Sequence, residues 1–201
     1  EMKKYDYDPA LATGVVGCSI EDSTNGHPNG QFELAQAQDR VRAAVDAARA
    51  LPYPVMLTAR AENFFIGRPD LADTIRRLQA YQEAGADVLY APGLRNADEI
   101  RTVVESVDRP VNVMMGGGTP ALTIQQLASL GVKRISVGGT FARFAYGALL
   151  HAAQEVMQSG TFDYGTHPIG QVSLSKLFRE SADYQAAQKR RTNHPGAGSP
   201  G

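Results

Sequence analysis

Two adjacent carboxylates, Glu21 and Asp22, close a short apolar run from Val15 to Ile20. A strand that delivers acid to a surface puts it where parallel α/β folds keep their chemistry, because ligands there bind beyond the carboxyl ends of the strands. Capping of the following loop explains the pair equally well. Similar polar sets recur further along: Arg60 with Glu62 and Asn63, then Tyr90-Ala91-Pro92-Gly93, then Asn112 with Gly116-Gly117-Gly118, then Gly138-Gly139-Thr140. Arg60 offers a planar fork suited to gripping a carboxylate at two points, and Glu21 a hard oxygen suited to Mg²⁺ or to its waters. Together they describe a site for a small acid. A structural ion pair of Arg60 with Glu62 or Asp22 is the competing explanation.

The glycines at 116 to 118 and at 138 to 139 leave two readings. Backbone N–H groups there could cradle a phosphate, or the residues could simply make tight strand-to-helix turns. His27, within Asn25-Gly26-His27-Pro28-Asn29-Gly30, is either part of a mobile lid over the pocket or a solvent-exposed loop residue.

These groups need strands to carry them, and the chain supplies a regular alternation. Strands are predicted at 15 to 20, 55 to 58, 88 to 90, 111 to 114 and 134 to 137, and helices at 32 to 50, 70 to 84, 96 to 107, from Thr123 to Gly131, and 141 to 159. Leu34, Ala37, Val41, Ala44 and Ala48 follow the three-and-four spacing of one buried helix face. Gly85 and Gly131 each stop a helix immediately before a strand. Asn96 with Glu99, and Thr123 with Gln126, stand at capping-box spacing. Strands separated by helices of this length imply parallel βαβ units, with all five strands adjacent in chain order.

Bulk composition sets the frame. A chain of 201 residues with 43% hydrophobic content can bury one sizeable core, and a single domain over residues 1–188 is expected, with 1–13 irregular, one more helix near 173 to 188, and a disordered Pro/Gly/Ser-rich tail at 189–201. Lys and Arg number 20 against 21 Asp and Glu, with no basic stripe, which argues against nucleic acid as a partner. The single cysteine, Cys18, excludes disulfides within the chain and suits a reducing cytoplasm. No apolar run approaches the roughly 20 residues of a membrane helix.

Five ordered segments carry a resemblance: Gly17-Cys18-Ser19-Ile20-Glu21-Asp22-Ser23-Thr24, Leu57 to Phe64, Ala84 to Gly93, Pro110-Val111-Asn112-Val113 and Arg134 to Gly139. Over roughly residues 14 to 165 the chain resembles the isocitrate lyase/phosphoenolpyruvate mutase superfamily, and most of all its short bacterial members. The resemblance implies a (β/α)8 barrel, usually a homo-oligomer that exchanges a C-terminal helix, with Mg²⁺ holding a 2-oxo or 2-hydroxy acid at the strand ends. It implies a lyase-like enzyme that makes or breaks a C–C or P–C bond beside a carboxylate through an enolate. Glu21 would then be a metal-shell acid, Arg60 the group that binds substrate carboxylate or oxyanion, and Asn112, Gly116 and Gly117 part of the pocket.

The departures shape the expectation. Almost nothing precedes residue 15 to match the family's first three strands, which carry its main metal-binding aspartates, so an incomplete barrel of strands 4 to 8 plus a C-terminal helix is expected. The Lys-Lys-Cys-Gly-His lid of the citrate-type lyases is replaced at 23 to 30 by Ser-Thr-Asn-Gly-His-Pro-Asn-Gly. A 2-oxo acid lyase, decarboxylase or phosphonopyruvate-type enzyme fits this better than a citrate-type lyase. The alternative is an inactive fragment that keeps the fold and anion binding without turnover.

Overall fold

Each strand is short and each is followed by a helix, and glycines of positive φ at 85, 131 and 160 close three of these helices. A computed structural model describes residues 15–24, 30–116, 122–166 and 176. In chain order they form β1 (Gly17–Glu21), α1 (Leu34–Arg49), β2 (Met56–Arg60), α2 (Leu71–Glu83), β3 (Val88–Tyr90), α3 (Ala97–Glu105), β4 (Val111–Met114), α4 (Ile124–Ser129), β5 (Arg134–Ser136), α5 (Thr140–Ser159) and a 3₁₀ turn (Asp163–Thr166). The five strands form one sheet in the order β1-β2-β3-β4-β5, every neighbouring pair parallel. This is the parallel arrangement expected from the alternation, in the strand order of the incomplete α/β barrel that the resemblance implies.

Two compact units divide the chain, Glu1–Phe141 and Ala142–Gly201. The sheet belongs to the first. In the second, the Glu155 carboxylate accepts hydrogen bonds from the Thr161 hydroxyl and the Asp163 N–H, tying the end of α5 to the 3₁₀ turn. The expected irregular segment at 1–13, the tail at 189–201 and, save Lys176, the helix near 173 to 188 lie outside the described residues.

Boundaries shift where local chemistry demands it. β1 begins at Gly17 and runs to Glu21, so Val15 and Val16 precede the strand and stand exposed. The Thr123 capping box is complete, with the Thr123 hydroxyl accepting from the Gln126 N–H and the Gln126 side chain accepting in return. At α3 only half the box forms: Asn96 accepts from the Glu99 N–H, while the Glu99 carboxylate turns to the Arg95 N–H and guanidinium. Gly131 ends α4 with φ +86°, a left-handed conformation that other L-residues adopt only with strain.

The period of two along each strand sorts the side chains into two layers. Leu57, Ala59, Leu89, Val111 and Val113 point to the helices and join Ala37, Val41, Ala44, Leu78, Tyr81, Ile100, Val103 and Leu127 in one buried cluster. Ala37 and Ala44 on α1 face Leu57 and Ala59 of the sheet with little side chain, which lets α1 approach it closely.

Candidate active site

The opposite face of the sheet carries the polar residues. Register pairs Glu21 with Arg60, Arg60 with Tyr90, Tyr90 with Asn112 and Asn112 with Arg134. Partners on adjacent parallel strands project to the same side, so these five residues form one row across the sheet, running from the carboxyl ends of β1, β2 and β3 to the start of β5 at Arg134. Glu21, Arg60 and Asn112, each expected at the site from sequence, are thus brought onto a single face.

Arg60 is the centre of the row. Its Nη1 lies 3.2 Å from Glu21 Oε2 and its Nε donates to Glu62 Oε1 at 2.7 Å. The guanidinium also sits 5.1 Å from the centroid of the Tyr90 ring, within cation–π range. Its two carboxylates differ in kind: the Glu21 side chain is 47% exposed and the Glu62 side chain 1%. Burial pushes the Glu62 carboxyl above its ordinary range, while Arg60 pulls it back down. The ion pair with Glu62, weighed from sequence as an explanation for Arg60, therefore exists, and Asp22 is not part of it.

Burial likewise raises the Tyr90 phenol, with Ser136 and Arg60 opposing the shift. Asn112 is fully buried; its Nδ2 donates to Ser136 Oγ at 3.0 Å and its Oδ1 has no hydrogen-bond partner among the described residues. Gly116 adopts φ +87°, and a Cβ there would lie 3.0 Å from Thr140 Oγ1. Gly138 has φ +52°. Backbone conformation thus accounts for glycine at these two positions. Gly117, Gly118 and His27 lie outside the described residues.

Asp22 turns the other way. Its carboxylate is buried on the helix side, where Oδ2 accepts from Tyr81 Oη at 2.6 Å, Gln31 Nε2 at 2.9 Å and Arg77 Nη1 at 3.1 Å, and Oδ1 accepts from the Glu62 N–H at 2.9 Å. Arg77 is shared with Asp73 at 2.7 Å, and although burial alone would raise Asp73, hydrogen bonds from Arg77, Asn63 and Arg76 pull its carboxyl down to about 2. Burial and the Asp22 charge push the Tyr81 phenol up. A polar cavity of about 270 Å³, lined by Gln31, Asn63, Arg68, Asp73 and Arg77 among others, borders this network.

Neither Tyr81 nor Arg77 stands out in the sequence as a site residue. Their spacing of four on α2 places them on one helix face.

For the implied metal, the donor set is short. Among the described residues no group of three or more His, Cys, Asp or Glu side chains could hold a metal ion. Glu21 supplies one carboxylate, already engaged by Arg60 and by the Ser23 hydroxyl at 3.0 Å. Mg²⁺ demands a near-octahedral shell of oxygens. The described residues do not form one by themselves.

Residues 7–157 match the phosphoenolpyruvate phosphomutase family. The chain belongs to that family. This family member is similar to a candidate lyase/mutase from Burkholderia cenocepacia J2315, with 50% identity and a TM-score of 0.80 over 84% of this chain and 61% of that one. It is also 30% identical over 159 residues to the 2-methylisocitrate lyase of Escherichia coli K12, matching 75% of this chain and 52% of that enzyme. A phosphonopyruvate hydrolase solved with oxalate and Mg²⁺ has the same fold, with a TM-score of 0.70 at 24% identity over 92% of this chain and 66% of that one. The chain therefore spans about half the length of the curated lyase it matches. No helix among the described residues is long and apolar enough to cross a membrane.

Proposed function

We propose that this family member belongs to a lyase-like enzyme acting on a small 2-oxo or 2-hydroxy carboxylic acid, with C–C or P–C cleavage through an enolate. The observation that carries the reading is Arg60 at the carboxyl end of β2, its guanidinium stacked on Tyr90 and flanked by one exposed and one buried carboxylate. An incoming carboxylate can replace Glu21, whose pairing in solvent is worth little, while Glu62 keeps the fork oriented from below. Arg60 then holds the acid at two points, and its fixed positive charge sits where negative charge would grow on an enolate oxygen. Asn112 lies in the same row, two strands from Arg60.

Two kinds of relative support this substrate class: the 2-methylisocitrate lyase and the phosphonopyruvate hydrolase bound to oxalate, a small dicarboxylate. The Mg²⁺ of that complex finds one candidate ligand here, Glu21, and a full shell requires donors from beyond the described residues. That shortfall favours a second reading, in which the chain binds small anions at Arg60 without turnover.

Arg60→Lys tests the assignment. An ammonium keeps the charge but not the planar two-point grip, so kcat/KM of the full-length protein on 2-oxo acids such as oxaloacetate should fall by well over tenfold. A change below about threefold, under about 1 kcal/mol of transition-state stabilisation, would make Arg60 structural. Loss of oxalate binding without any measurable turnover in the parent protein would select the second reading.

A further inference from the structure

We infer that Asp22 is a positioning residue, clamped by Tyr81 and Arg77 on the helix side of the sheet so that its carboxylate fixes the two strand ends that present Arg60. The inference rests on the reading of Arg60 as the anion-binding group.

Asp22 links the helix layer to the Arg60 pair through both its backbone and its carboxylate. Asp22 Oδ1 accepts from the Glu62 N–H at 2.9 Å, and the Glu62 carboxylate is the one that grips Arg60 Nε at 2.7 Å. The Asp22 N–H donates to the Arg60 carbonyl at 3.3 Å, joining β1 to β2 at the level of the site. The Asp22 carbonyl accepts from the Phe32 N–H at 2.8 Å, which returns the β1–α1 loop to the same point. Gln31 closes the ring, donating to both Asp22 Oδ2 and Asn63 Oδ1.

The far end of the clamp is anchored in the core. Tyr81 is fully buried, and its hydroxyl makes the shortest bond to Asp22, at 2.6 Å. Arg77, itself nearly buried, divides its guanidinium between Asp22, Asp73 and the Phe32 carbonyl. A buried carboxylate tolerates burial only when its lone pairs are filled, and here the donors that fill them come from the β1–α1 loop, the β2–α2 loop and α2. Rotation of the Asp22 carboxylate is thereby blocked, and with it any drift of the Glu62 backbone. A guanidinium grip on a planar acid is sensitive to displacements of about 1 Å, so a clamp one residue removed from the ligand controls affinity without touching it.

Oxalate binding by the purified full chain, measured calorimetrically well below the melting temperature, tests this against a merely structural role. Tyr81→Phe removes one hydroxyl and keeps the ring volume; Asp22→Asn removes the charge; Val103→Ala, in the core on α3, destabilises the fold away from the site. Oxalate affinity should fall at least tenfold in Asp22→Asn and at least threefold in Tyr81→Phe, and stay within twofold of the parent in Val103→Ala despite a comparable loss of melting temperature. If Asp22→Asn fails to fold, Tyr81→Phe decides alone. Parent-like affinity in Tyr81→Phe, or an equal loss in Val103→Ala, overturns the positioning role while leaving Arg60 in place. Absence of oxalate binding in the parent, or unchanged binding in Arg60→Lys, overturns the Arg60 reading and this inference with it.

Discussion

Glu21 and Asp22 are neighbours in the chain and face opposite sides of the sheet: the Glu21 carboxylate meets the Arg60 guanidinium at 3.2 Å, while the Asp22 carboxylate meets the Tyr81 hydroxyl at 2.6 Å among the helices. One acid is available to a ligand and the other is consumed by the scaffold.

The two ion pairs of Arg60 should contribute unequally to stability. Glu21→Gln is expected to change stability by less than about 1 kcal/mol, as for other solvent-exposed pairs. Arg60→Met leaves Glu62 buried without a counter-charge and should cost about 3 kcal/mol near neutral pH. Because the Glu62 carboxyl is raised already and rises further without Arg60, the deficit should shrink as acid protonates it. Urea denaturation of both variants at two pH values checks this; a pH-independent deficit would contradict it.

Asp73 gives the fold an acid limb. Its folded value of about 2 lies below the ordinary 3.8, so the stabilisation is complete above about pH 4 and is lost as pH falls towards 2. Thermal melts across that window should show the parent losing stability more steeply than Asp73→Asn. Parallel curves would place the acid sensitivity elsewhere.

Two glycines with the same backbone conformation should tolerate substitution unequally. Gly131 has φ +86° and a Cβ there would lie 2.8 Å from Val104 Cγ1, whereas Gly67 has φ +80° with nothing within 4 Å. Gly67→Ala should cost about 1 kcal/mol from backbone strain alone, and Gly131→Ala more, since Val104 must also move. Equal losses in chemical denaturation would mean that α3 yields freely at this point.

The flank of the sheet invites association. Val16 is 70% exposed and Met56 53%, beside a β1 strand that among the described residues pairs with β2 alone. An apolar strand with free N–H and C=O groups seeks a second one, so the chain is expected to sediment faster than a 21.6 kDa monomer. Val16→Lys should shift the distribution towards monomer; a concentration-independent monomer in the parent would refute the expectation.

Much of this arrangement could be read from residue order. Apolar runs ending in polar sets mark the strand ends, and strand adjacency in chain order makes Glu21 and Arg60 neighbours. Which of Glu21 and Asp22 would face the site was not legible. The run before them departs from apolar residues only at Gly17 and Ser19, and one serine is too weak an alternation to fix the parity. Tyr81 and Arg77 were hidden for a related reason: on a helix, a buried Tyr and a half-apolar Arg read as part of the packing face until a buried acid is found opposite them. Asn96 and Glu99 had the spacing of a capping box, but Arg95 competes for the Glu99 carboxylate, and spacing cannot report a competitor.

The alternation that separates Leu57, Ala59, Leu89, Val111 and Val113 on one side of β2, β3 and β4 from Arg60, Tyr90 and Asn112 on the other also sets how this chain can change. Substitution along the polar row alters what is bound without disturbing the packing against the helices. Gain or loss of a single residue within β2 would instead exchange the two rows, driving Arg60 into the alanine layer and Ala59 into the site. New specificities are therefore open to this sheet by replacement and closed to it by insertion, and length variation should be confined to the loops.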